Sequence, residues 1–98
     1  MASVRSLKKD IDFLMSLVLQ DCISIQERYP EANQEKVMEI AQKIIQDHRL
    51  LRKRVSRKEI RKDQGPAGKY LAGVVEEMYS LADDSLDQLT TVVQNESH

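Results

Sequence analysis

The residues of this 98-residue chain with the means to do chemistry are few: His48 and His98, the lone Cys22, a Gly-Lys pair at a turn, and a set of carboxylates. His48 falls in phase with apolar neighbours Ile44 and Leu51, which predicts a partly buried, hydrogen-bonded histidine. No second His, Cys or carboxylate stands near it at a metal-binding spacing, and adjacent Asp47 points about 100° away on a helix. Cys22 also lies in an apolar stripe, where desolvation raises a thiol pKa and makes it inert. One cysteine allows no intramolecular disulfide, so an oxidising compartment is unnecessary and the cytoplasm is the expected location.

Gly65-Pro66-Ala67-Gly68-Lys69 ends like a phosphate-binding loop. That loop needs Gly five positions before its last Gly and Ser or Thr after the Lys; Asp63 and Tyr70 occupy those positions instead. The carboxylates Glu76, Asp83 and Asp87, with Glu77 and Asp84 beside them, fall opposite the apolar side of their helix. They read as a solvated face rather than an oxygen cage. The residues thus predict no enzyme, no catalytic residue, no metal, no cofactor and no small-molecule substrate.

Charge is more informative. The chain holds 15 basic and 16 acidic side chains, yet they are sorted along it. Residues 49–63 carry eight basic against two acidic groups, a net of +6, whereas residues 1–48 net −2 and residues 64–98 net −5. Arg49, Lys53, Arg57 and Arg61 form an i, i+4 stripe with Arg54 and Lys58 beside it, on the side of a helix opposite Ile44, Leu51 and Val55. Such a stripe suits a solvated helix end, pairing with acids such as Glu76 and Glu77, or contact with a polyanion such as RNA or DNA. The basic segment has no aromatic residue for stacking on bases. Nucleic-acid contact would therefore be to phosphates and steeply salt-dependent.

These groups must be positioned by helices. With three Gly, two Pro and no Trp, the composition favours straight-chain helix formers. Tyr29-Pro30 and Gly65-Pro66 cut the chain into near-equal thirds, because proline pushes its predecessor out of the α region. Within the thirds, apolar residues recur at three- and four-residue steps: Leu7, Ile11, Leu14, Val18, Cys22, Ile25; then Val37, Ala41, Ile44, His48, Leu51, Val55; then Leu71, Val75, Met78, Ala82, Leu89, Val92. Helices are expected at about 4–29, 33–62 and 68–93, with 94–98 a frayed tail. Ser3 or Ser6 would cap the first and Asn33 the second. Short connections make neighbours antiparallel, which gives one all-α domain: an up-down-up three-helix bundle, or the same helices opened into a homodimer.

The first helix is too apolar for a surface element. Phe13 and Leu17 fall on one flank of its main stripe and Leu19 and Ile23 on the other, each pair at i, i+4. Either this helix is the most buried of the three, clasped by the other two, or these four residues are the candidate interface with a protein partner or a second copy. The apolar window from Phe13 to Leu19 is too short to cross a bilayer, and Met1 to Lys9 is not followed by a signal-peptide core. The function expected is a small interaction or adaptor module. The alternative is an accessory nucleic-acid or polyanion-binding protein using Arg49, Lys53, Arg54, Arg57, Lys58 and Arg61.

Overall fold

The computed structural model describes residues 4–63 and 65–96. The described chain is helical: α1 (Val4–Arg28), α2 (Gln34–Arg54), α3 (Arg57–Lys62) and α4 (Ala67–Glu96). The long helices α1, α2 and α4 pack on one another, whereas α3 touches α2. The molecule is a rod of 51 × 20 × 16 Å, in keeping with about 1.5 Å of rise per residue in its longest helices.

The helix boundaries have local causes. Asn33 is extended, and its side-chain oxygen accepts from the Lys36 amide at 3.1 Å, capping α2 as its residue type predicts. At α4 the Pro66 carbonyl accepts from the Lys69 and Tyr70 amides, starting the helix directly after the proline. Ser6 lies inside α1 rather than before it, and Ser3 is outside the described residues. The fourth helix continues to Glu96, past the end expected near residue 93. Of the expected tail, residues 97 and 98, including His98, lie outside the described residues.

The main departure is in the second helix, expected to run unbroken to about residue 62. It stops at Arg54. Val55 is fully buried and donates back to Leu51 and Arg52, while Ser56 turns extended (ψ 151°) and begins a new helix. The Ser56 hydroxyl accepts from the Glu59 amide, the spacing of a capping box. Arg57 and Arg61 therefore belong to a separate short helix and do not extend the Arg49, Lys53 stripe along one axis.

The core is formed by Leu7, Ile11, Met15, Val18 and Cys22 of α1, Val37, Ile40, Ile44 and Leu51 of α2, and Val74, Met78, Ala82, Leu89 and Val92 of α4, with Val55 and Ala32. Each buried large aliphatic contributes about 1.5–3 kcal/mol relative to exposure. Met15 is deeper than Leu14, and Val74 deeper than Leu71 or Val75; the three displaced residues are half-buried at the margins.

Directions follow from cross-helix partners. Asp12 meets His48 and Arg52, so α1 and α2 are antiparallel with residue 12 level with about residue 50. Arg54 meets Glu77, while Lys36 and Ile40 line a groove with Gln88 and Asn95, which makes α2 and α4 antiparallel. Ile25 and Arg28 share a groove with Leu86 and Leu89, so α1 and α4 run the same way.

Candidate interaction surfaces

The histidine has a partner that its own helix could not reveal. His48 Nε2 lies 2.7 Å from Asp12 Oδ1, and because a carboxylate only accepts, the ring nitrogen donates. Arg52 Nη1 reaches the other Asp12 oxygen at 3.4 Å. The cluster joins α1 to α2 across 36 residues of sequence and is half-exposed. Ser16 lines the same small recess as His48, but no hydrogen bond joins its hydroxyl to the ring. Nearby backbone amides are committed to helix, so no pair of donors is arranged to hold an oxyanion.

Cys22 is buried, and that burial, with Asp21 adding a smaller effect, pushes its thiol pKa above the ordinary value. Among the described residues no group of three or more His, Cys, Asp or Glu gathers where it could hold a metal ion. Glu76, Asp83, Asp84 and Asp87 are exposed, whereas Glu77 is half-buried against Arg54. No described helix is long and apolar enough to cross a membrane.

The basic residues divide into two groups. Arg54 leaves the solvated stripe: its guanidinium pairs with Glu77 and sits over the Tyr70 ring at 5.6 Å, while the Tyr70 hydroxyl donates to the Arg54 carbonyl at 2.8 Å. This cluster clamps the end of α2 onto the start of α4, the partial neutralisation by Glu77 that the sequence allows. Arg49, Lys53, Arg57, Lys58 and Arg61 are all exposed, and none has an ion pair among the described residues. They are split between α2 and α3 by the turn at Ser56.

The four apolar residues singled out on the first helix are also separated. Phe13 is 68% exposed, and Leu17 is exposed beside it. At about 100° per residue both lie on the side of α1 that carries Asp21 and Ser24, which border α4. Exposed Tyr79 lies on the matching side of α4, with Leu86 and Thr90, so one apolar patch spans the α1–α4 face. Leu19 and Ile23 lie on the other side. Leu19 is half-buried against α2 in a recess with Ile44, Ile45 and His48, so part of its apolar surface is already covered within the chain. Ile23 remains 49% exposed, and α2 adds exposed Met38 and Ile45 on the same α1–α2 face.

Two of these features carried a signal in the sequence that the helical period hides. Ser56-x-x-Glu59 is a capping box inside an apparently continuous helix, and Tyr79, Met38 and Ile45 are large apolar residues that lie well off the core stripes of their helices. The Asp12–His48 pair had no signal, since it depends on the register of two helices. Comparison with protein-family models, with curated proteins and with solved structures finds no match.

Proposed function

We propose that this chain is a non-enzymatic interaction module: an up-down-up three-helix bundle whose first helix both fills the core and presents apolar flanks for association with a second copy or another protein, in the cytoplasm. The observation that carries this reading is the exposure of Phe13, Leu17 and Ile23 on a helix whose other side is fully packed. Contiguous apolar area on a chain this charged is costly in water and is covered when a partner binds. Tyr79, Met38 and Ile45 enlarge both patches and support the same reading.

The test is solution mass at micromolar concentration by sedimentation or light scattering. At least one of Leu17→Asp and Ile23→Asp should lower the association state, and an unchanged mass for both would count against the proposal. Neither side chain is in the core, so both variants should keep the helical circular dichroism of the parent.

A second reading rests on its own observation, the five exposed cations without ion pairs at Arg49, Lys53, Arg57, Lys58 and Arg61. They would dock on the phosphates of RNA or DNA, with Arg54 withdrawn from the set by Glu77. Such binding would be tolerant of sequence and weakened by salt.

A further inference from the structure

We infer that the α1–α2 face is the contact between two copies of this chain, and that the copies lie antiparallel about a two-fold axis perpendicular to the helices. The inference rests on the reading of α1 as an association element and adds which flank is used, which partner covers it and in what orientation.

Charges are ordered along this face. Asp12 opposite His48 and Arg52 fixes the register of the two helices. At one end of the face stand the exposed acids Glu27 and Glu35, and at the other the exposed bases Lys9, Arg49 and Lys53. Between them lie exposed Ile23, Met38 and Ile45, half-buried Leu19, and the uncharged Ser16, Gln20 and Gln42. Two copies stacked in parallel would set acid on acid and base on base. A two-fold rotation exchanges the ends, so each acidic end meets a basic end, twice over, and the apolar strip meets itself.

The spacing agrees. Glu35 and Arg49 are 14 residues apart on α2, about 21 Å at 1.5 Å per residue. An axis midway passes the level of Gln42, and it brings Ile45 of one copy opposite Met38 of the other.

The other two faces lack this symmetry. On the α1–α4 face, Phe13, Leu17 and Tyr79 are accompanied by exposed Asp10, Asp21 and Asp83, so a two-fold contact there would appose acids. The α2–α4 face holds the Arg54–Glu77, Lys43–Asp47 and Lys36–Glu39 pairs and one large exposed apolar residue, Leu50.

Sedimentation equilibrium of the full chain should show a reversible dimer. Ile23→Asp and Ile45→Asp should each weaken it at least about tenfold, a change of about 1.4 kcal/mol, while Leu17→Asp leaves it intact. Orientation is read by oxidative cross-linking in a Cys22→Ala background. Glu35→Cys mixed with Arg49→Cys should link in pairs, and Glu35→Cys alone should not. Self-linking of Glu35→Cys, or a dimer broken by Leu17→Asp but not by Ile23→Asp or Ile45→Asp, would overturn this inference while leaving self-association through α1 standing. A wild-type chain that stays monomeric would remove self-association as well.

Discussion

Ser85 is 1% exposed, yet its hydroxyl has no hydrogen-bond partner among the described residues. Thr90 and Thr91, on the same helix, donate to the carbonyls four residues earlier, Leu86 and Asp87. A buried hydroxyl without a partner carries a desolvation penalty of about 1–3 kcal/mol, and alanine is the better helix former by a few tenths of a kcal/mol. Removing one oxygen leaves little void to offset these gains. Ser85→Ala is accordingly expected to stabilise the fold by about 1 kcal/mol, measured by urea denaturation. A loss of stability would show that the hydroxyl is hydrogen-bonded in solution. Ser85 also explains why the α4 stripe was incompletely legible: a polar residue fills the position between Ala82 and Leu89, so apolar periodicity alone skips it. The reverse holds for Cys22, whose small apolar character and phase placed it correctly in the core.

At the scale of elements, periodicity was enough to place α1 and α4 and the start of α2, because those helices bury one continuous side. It could not show the break after Arg54. The apolar rhythm ends at Val55, with charged Lys58, Glu59 and Lys62 at the next core-phase positions. The end of an apolar stripe is not the end of a helix, however, and it is the capping chemistry of Ser56 and Glu59 that marks the break. No residue of α3 is fully buried, so this helix depends on its cap more than on packing. Replacing Ser56 by Ala should cost about 1 kcal/mol, felt within α3. Hydrogen exchange at the Ile60 amide, which donates to the Ser56 carbonyl, should accelerate while the denaturation midpoint of the whole chain barely moves. A large fall in that midpoint would mean that α3 is integral to the core. The exposed apolar residues of α1 were legible in the same partial way. Their exposure could be read from one helix, but their division between two faces depends on where α2 and α4 lie.

For the whole molecule, charge and shape act together. A net charge of −1 hides a rod with a cationic segment at the α2–α3 end and acids along α4. If that segment binds phosphates, the dependence of log affinity on log salt should approach about −0.9 for each phosphate neutralised. Titration of a labelled RNA or DNA duplex at low and moderate salt measures the slope, and Arg57→Glu with Arg61→Glu should abolish binding. No mobility shift and no retention on heparin even at low salt would dismiss this reading. The same stretch has a different meaning for the covalent chain. The core is built by α1, α2, Val55 and α4, while residues 56–65 contribute no buried side chain among those described. The molecule is thus two pieces joined by a strap: an α1–α2 hairpin with half a core, and a single long helix that completes it. Cut within the strap, the pieces would still carry between them every complementary surface needed to find each other, which makes this a protein suited to being split and reassembled.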